Sequence, residues 1–501
     1  MSMCVKYIVT KAIADHIRAN KLLFSLLTLA LFVDLAWHHY VGFIRDDAFI
    51  TFRYAKNITN GLGFVYNPGE HVYGTSSPGF ALLMAVWLFL FPAQPVAGAI
   101  FFDIVASLLS LYLVWKLLED LTDLQRSLIL ITLIFPSTLL SYSLEGMETP
   151  LVITCMLASF YFLSRDRSIA GGICAGLMLW VRMDSALWIA ALAVICFFQW
   201  RRNLALFLLA TVLTYLPWLV FAQVYFGSMI PLTAIAKRVA FFYAPQPLRE
   251  RLNFFLSWPV PFTNIDPVWS KVIAMMIYIV ACIGAWKHRW SAFVLVSVVF
   301  LIIQSIALTA MGMTIGQRYF ITSLCILLVL FAIGVFFWVR SRRLGWVLLG
   351  LCLVGSSVYL SKDLHTSLTQ KYVNEGSLIP MGMWIKNNTP EDSTIFLEPL
   401  GYVGYYAERK MVDEVAIVSP VVLPFKRAKA NTYDIISAIK PDYVILHCDD
   451  AGRAPETFNS MYEITVRFDP MGFMDGKKVS QTQKGAQRLA CYQIHKIHYT
   501  P

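Results

Sequence analysis

The chain has 501 residues, of which 58% are hydrophobic and 14% charged, and it carries a formal net charge of +10. That is too apolar for a soluble protein of this length, and apolar runs of about 17 to 25 residues, enough to cross a bilayer core, recur through its first two thirds. The positive excess lies with those runs, since residues 362–501 balance 16 Lys/Arg against 16 Asp/Glu; it reports membrane orientation, with no nucleic-acid partner implied.

The expected fold is a polytopic α-helical membrane protein of about 11 transmembrane helices at 1–361. A C-terminal soluble α/β domain follows at 362–501. The opening MSMCVKYIVTKAIADHIRANK carries Lys6, Lys11, Arg18 and Lys21. No small-residue cleavage site follows the first apolar run, so an uncleaved helix with a cytoplasmic N-terminus is expected.

Orientation follows from the basic clusters between runs: the N-terminal arm, Lys116 to Arg126, Arg165 with Arg167, Arg201-Arg202, Lys287 with Arg289, and Arg340 to Arg343. With all of them cytoplasmic, the spans alternate. They fall at 22–43, 95–117, 127–143, 150–164, 168–183, 186–200, 203–226, 270–286, 290–310, 319–339 and 344–361. The run at 79–91 is too short to span and ends in Pro92, so it reads as a juxtamembrane helix within a first extracytoplasmic loop at 44–94. Asp34 and Asp103 lie inside spans, where interhelical hydrogen bonding is the favoured role over a proton path.

This parity gathers the unusual polar segments on the extracytoplasmic face: Asp46-Asp47, YSLEGMETP with Glu145 and Glu148, VRMDS with Arg182 and Asp184, FGSMIPLTAIAKRV with Lys237 and Arg238, and MTIGQRYF with Gln317, Arg318 and Tyr319. Asp46 and Asp47 suit a general base for an acceptor hydroxyl, because a neighbouring like charge at a membrane surface raises one carboxyl toward the working range. Together with Glu148 they also offer hard oxygen ligands to a divalent cation such as magnesium, manganese or calcium. A plainer reading makes Asp46 the N-cap of the helix AFITFRYAKNI.

Gly61-Leu62-Gly63 and Asn67-Pro68-Gly69 are turn-formers, and Tyr54, Phe64, Tyr66 and Tyr73 supply aromatic faces for sugar or lipid. Arg53 and Tyr54 join the candidate substrate contacts. Glu148, Arg182 and Asp184 either pair and hold helices together or contact substrate. Lys237, Arg318 and Tyr319 face where a lipid phosphate would sit, and cations there stabilise a leaving phosphate. Headgroup snorkelling is the plain alternative for the two cations.

In the terminal part a helix is expected around 378–388, then strands at STIFLEP, MVDEVAI, DYVILHC, EITVRF and LACYQIHKI. GYVGYYAERK reads as a sugar-facing loop or a turn of packed tyrosines. Seven of nine cysteines stand singly in the arm or the spans and make no metal pattern; Cys448 and Cys491 have strand-like surroundings, and a disulfide between them requires an oxidising space. No Walker loop, dinucleotide-binding glycine pattern, HExxH or paired CxxC is present, so ATP or soluble nucleotide-sugar use has no support.

The string DDAFITFRYAKNITNGLGFVYNPGEHVYGTSSP resembles the first-loop block of the GT-C superfamily of membrane glycosyltransferases, in the subfamily that includes mycobacterial terminal arabinofuranosyltransferases. LEGMETPL, VRMDSAL, YFGSMIPLTAIAK, GQRYF and STIFLEPLGYVGYYAERKMVDEVAI follow in matching order. The resemblance implies an inverting transferase of the bacterial cytoplasmic (inner) membrane. It would use a polyprenyl-phosphate-linked sugar, arabinofuranose or another pentose or hexose, and a glycan, lipid or protein acceptor on the extracytoplasmic face. Asp46 and Asp47 both match the motif's aspartates, with Asp46 favoured as base. A transporter or flippase of a lipid-linked sugar is the alternative; it predicts polar residues at the bilayer midplane and related halves, neither of which the sequence displays.

Overall fold

A computed structural model describes residues 20–242, 247, 249–250, 267–288, 291–311, 317–338, 363–468 and 491–498. The N-terminal basic arm, Arg289, Arg340 to Arg343 and the expected span at 344–361 lie outside the described residues.

Helix α1 (Lys21–Tyr40) leads through an extended stretch into α2 (Asp46–Thr59), a glycine-rich loop, and α3 (Pro78–Leu90). Then come α4 (Pro95–Leu117), α5 (Asp123–Ile134), α6 (Ser137–Ser143), α7 (Thr149–Ser164), α8 (Ser168–Val181), α9 (Ala186–Gln199) and α10 (Arg201–Phe226). Helices α11 (Leu232–Phe242), α12 (Pro267–Lys287), α13 (Ala292–Met311) and α14 (Ile321–Trp338) complete this part.

Each expected span among the described residues is helical within a few residues, with one correction. The single helix expected at 127–143 is two, α5 and α6, bent by 66°. Pro136 stands at the break, where its ring and missing N–H interrupt the helical ladder. Among the described residues α1, α4, α10 and Arg318–Val335 are long and apolar enough to cross a membrane, and the bent pair makes five. The short α3 is apolar almost throughout; Phe80, Ala81 and Met84 are buried, while Val86, Phe89 and Leu90 are exposed.

The terminal part holds α15 (Ile379–Asn388), β1 (Thr394–Leu397), α16 (Leu400–Ala407), β2 (Lys410–Asp413), α17 (Leu423–Arg427), α18 (Thr432–Ile439), β3 (Tyr443–His447), α19 (Cys448–Ala451), α20 (Glu456–Met461), β4 (Tyr462–Phe468) and β5 (Tyr492–Ile497). All five expected strands are present. They form one sheet in the order β2-β1-β3-β5-β4, with β1 parallel to β2 and β3, and with β5 antiparallel to β3 and β4. GYVGYYAERK is neither loop nor turn: its first seven residues belong to α16. A left-handed Glu408 ends that helix and turns the chain into β2. Cys448 and Cys491 are joined in a disulfide at the ends of β3 and β5.

Strand alternation splits the sheet's side chains between two cores. Ile395 and Leu397 pack with Leu400 and Val403 of α16 and with Phe49 and Phe52 of α2, so one apolar core runs from the membrane part into the sheet. Phe396 faces the other way, onto Ile435, Ile436 and Phe458, and Ala236 of α11 joins this second core. The terminal part is thus held from both faces by α2 and α11. The site lies in that fork.

Candidate active site

The chain leaves α1 and reaches Arg45 in extended conformation (φ −71°, ψ 143°), from which α2 begins. Arg45 is anchored to Glu145 twice, by its backbone N–H to the Glu145 carbonyl at 3.0 Å and by its guanidinium to the carboxylate at 2.6 Å. The next two residues are the paired aspartates, and successive helical residues point about 100° apart. They diverge into different environments.

Asp46 points to the terminal part. Its two carboxylate oxygens accept from the backbone N–H groups of Gly401 (2.9 Å) and Tyr402 (2.8 Å), the free donors at the N-terminus of α16. The expected N-cap role is therefore corrected: Arg45 caps α2 without a side-chain bond, and Asp46 serves the first turn of another helix. Burial pushes its carboxyl up to about 7, against the pull of the two N–H bonds and with help from the charges of Asp47 and Glu398. Gly401 is required here, because a Cβ would fall on the Asp46 carbonyl. One turn on, a Cβ at Gly404 would fall on the Tyr66 hydroxyl.

Asp47 points into the fork and ion-pairs with Arg318. Its side chain is 40% exposed. Burial raises its carboxyl, but Arg318, with Lys237 and Arg45, outweighs this and holds it below the usual carboxylate range.

Behind Arg318 the expected cations converge on one ring. Arg318, Arg182 and Lys237 stand 5.4, 5.5 and 5.6 Å from the centre of Tyr319, and Lys237 donates to its hydroxyl at 2.9 Å. Arg182 binds Asp184 through two hydrogen bonds (2.9 and 2.6 Å) and reaches Glu148 at 3.9 Å. That pairing outweighs the effect of burial and holds the Asp184 carboxyl low. A cavity of about 20 Å³ opens between Arg182, Asp184, Arg318, Tyr319 and Gln304. The segments Glu148, Arg182/Asp184, Lys237 and Arg318/Tyr319, distant in sequence, thus form one cluster with Asp47.

Arg53 and Tyr54, expected at substrate, are bonded within the protein. Arg53 is 4% exposed and donates to the carbonyls of Gly404 (2.8 Å) and Arg409 (2.6 Å), stacked on Tyr66. The Tyr54 hydroxyl is held between Val72 and Gly74, both at 3.1 Å. Tyr66 donates to Leu400 at 2.7 Å, and Asn67 exchanges two hydrogen bonds with the Met411 backbone at the edge of β2. Tyr54, Phe64, Tyr66 and Tyr73 are all buried, so the aromatic faces expected at sugar or lipid are core.

The expected cation set is not assembled. Asp46 spends both oxygens on α16, Asp47 faces Arg318, and Glu148 sits beside Arg182. Asp103 Oδ1, Glu145 Oε1 and Glu148 Oε2 are buried without a hydrogen-bond partner among the described residues, yet no three acids or His/Cys converge there to hold a metal.

Two residues at the site had no sequence signal strong enough to single them out. Gln304, a polar residue in the apolar α13, donates to the Tyr319 carbonyl at 2.9 Å and fixes that ring's turn. Glu398 follows β1 and lies within electrostatic reach of Asp46 and Asp47.

Residues 365–492 match a protein family described as a domain of unknown function, DUF8728. No curated protein matches the chain in sequence. Solved structures do match in shape. ArnT from Cupriavidus metallidurans, bound to undecaprenyl phosphate, is similar at a TM-score of 0.56 and 12% identity, over 88% of this chain and 95% of that one. Archaeal oligosaccharyltransferase AglB from Archaeoglobus fulgidus, in complex with an inhibitory peptide and a dolichol-phosphate, gives 0.55 and 12%, over 93% and 75%. The Archaeoglobus fulgidus oligosaccharyltransferase complexed with Zn and sulfate gives 0.55 and 14%, over 84% and 67%. The fold is the GT-C fold. It joins a set of helices, several long and apolar enough to cross a membrane, to a terminal five-stranded sheet.

Proposed function

We propose that the chain is an inverting glycosyltransferase. It moves a sugar from a polyprenyl-phosphate donor to an acceptor on the extracytoplasmic face of the cytoplasmic membrane. The observation that carries this is Asp47 paired with Arg318 at the rim of the Arg182–Lys237–Tyr319 cluster. Similar folds solved with undecaprenyl phosphate and dolichol-phosphate support a lipid-phosphate donor. The Cys448–Cys491 disulfide supports an oxidising compartment for the terminal part.

In this reading Asp47, not Asp46, is the base, since both oxygens of Asp46 are already bonded. The donor phosphate enters beside Arg318 and competes with Asp47 for it. Losing that partner raises the basicity of Asp47 at the moment an acceptor is present. The acceptor O–H gives its proton to Asp47, its oxygen bonds to the anomeric carbon, and the carbon–phosphate-oxygen bond breaks. The electron pair leaves with the polyprenyl phosphate, whose growing charge Lys237, Arg182 and Arg318 stabilise. Arabinofuranose is the sugar the first-loop resemblance favours, and a glycan, lipid or protein carries the acceptor hydroxyl.

The test is transfer by purified protein from a panel of polyprenyl-phosphate pentoses and hexoses, read as product mass. Undecaprenyl phosphate should bind the wild type, and Lys237→Ala with Arg318→Ala should weaken it at least tenfold. Unchanged lipid-phosphate binding in that double variant would overturn the site assignment.

A further inference from the structure

We propose that Glu398 stands in an acceptor-binding crevice beyond the carboxyl ends of β1 and β3, and that this crevice selects a non-anionic sugar. The inference rests on the sugar-transfer reading above.

The sheet order β2-β1-β3 sends the chain from β1 to one side and returns it to β3 on the other. The connections leaving β1 and β3 run apart, and open α/β sheets hold ligands in the crevice at such a point, beyond the carboxyl ends of the strands. Glu398 is the first residue after β1, at that crevice. Three residues later Gly401 is bonded to Asp46, so short covalent paths on both sides tie Glu398 to Asp47. The crevice therefore opens toward the proposed base.

Glu398 is solvent-exposed, with no hydrogen bond or ion pair among the described residues. Its neighbour Glu414, by contrast, is engaged by Lys426 (3.2 Å) and Thr432 (2.5 Å). Partial burial of its carboxyl, then the charges of Glu414 and Asp47, hold Glu398 above its usual range against the opposing pull of His447. The site is thus polarised. Arg182, Lys237 and Arg318 gather around Tyr319, Asp47 pairs with Arg318, and Glu398, within electrostatic reach of Asp47 and of His447, adds a carboxylate from the terminal part.

A phosphate is attracted to the three cations and repelled by Glu398. An acceptor carrying phosphate or carboxylate is disfavoured beside Glu398. Sugar hydroxyls are suited to it, because each donates a hydrogen bond that a carboxylate accepts strongly.

The experiment uses the full chain in lipid nanodiscs and three probes: neutral disaccharides of pentose and hexose, their phosphorylated counterparts, and undecaprenyl phosphate. Neutral disaccharides should bind at least tenfold tighter than the phosphorylated ones. Glu398→Gln should weaken them about tenfold and leave undecaprenyl phosphate binding unchanged, while Glu398→Lys should reverse the preference. The proposal is overturned if no neutral disaccharide binds, if Glu398→Gln binds them as the wild type does, or if phosphorylated sugars bind as tightly. Failure of the sugar-transfer reading shows separately, as absent undecaprenyl phosphate binding in the wild type. Because Glu398 is exposed and unbonded, its variants should fold as the wild type does.

Discussion

Asp46 and Asp47 are neighbours in sequence with opposite electrostatics. Asp47 is ionised through the neutral range because Arg318 offsets burial. Replacing it with Asn should reduce transfer by roughly 10² to 10⁴ with little change in thermal stability, checked by product mass and by unfolding of the same preparation. Asp46 behaves the other way. Its folded value of about 7 stands above the ordinary 3.8, so the folded state keeps the proton to higher pH than the unfolded chain. Its contribution to stability is full below about 4 and is lost as pH rises through about 7, because burial penalises the charged form. Thermal unfolding should show a fall in stability across that window that Asp46→Asn removes; equal pH slopes in the two proteins would refute the assignment. The DD pair was visible in the sequence as a candidate centre, but the division of labour was not. It depends on what lies 100° around α2 on each side, and one of those partners is some 355 positions away.

At the scale of elements, the segment from α2 through the glycine-rich loop is chiefly a docking surface. Arg53, Tyr66 and Asn67 all bond to backbone groups of α16 and β2 or their connection. Gly401 and Gly404, spaced three apart, let α2 and the loop close directly on α16. Asn67→Ala removes both bonds to Met411 and should cost about 1 to 3 kcal/mol of terminal-domain stability, read by denaturant unfolding. Gly404→Ala, which drives a methyl into the Tyr66 hydroxyl, should raise protease sensitivity at residues 400–413 while leaving the bundle helices protected. GYVGYYAERK and the first-loop string containing Arg53 were legible as segments of interest. Their purpose was not, because an Arg in such a loop reads equally well as a substrate contact until its carbonyl partners are known.

For the whole molecule, the division into bundle and sheet domain hides a shared core, in which Phe49 and Phe52 of α2 pack with Leu400 and Val403 of α16. The disulfide between residues 43 apart ties the end of β3 to the start of its neighbour β5. Reduction, or Cys448→Ser, should lower terminal-domain stability by up to about 4 kcal/mol through restored chain entropy. Helical signal from the bundle should be unchanged, and a parallel loss of both would mean the two parts unfold as one unit.

The sequence by itself determined the membrane class, the helix positions and all five strands, since hydrophobic length and alternation are local properties that the bilayer and the sheet read directly. It also marked Asp47, Glu148, Arg182, Asp184, Lys237 and Arg318, because charges next to apolar runs are costly without a purpose. Only the tertiary structure decided that Asp46 bonds to α16, that Arg53 and Tyr54 bond to distant backbone groups, that the helix expected at 127–143 bends by 66° at Pro136, and that Glu398 comes within electrostatic reach of Asp46 and Asp47. Those outcomes turn on contacts between segments hundreds of residues apart, about which no window of sequence carries information.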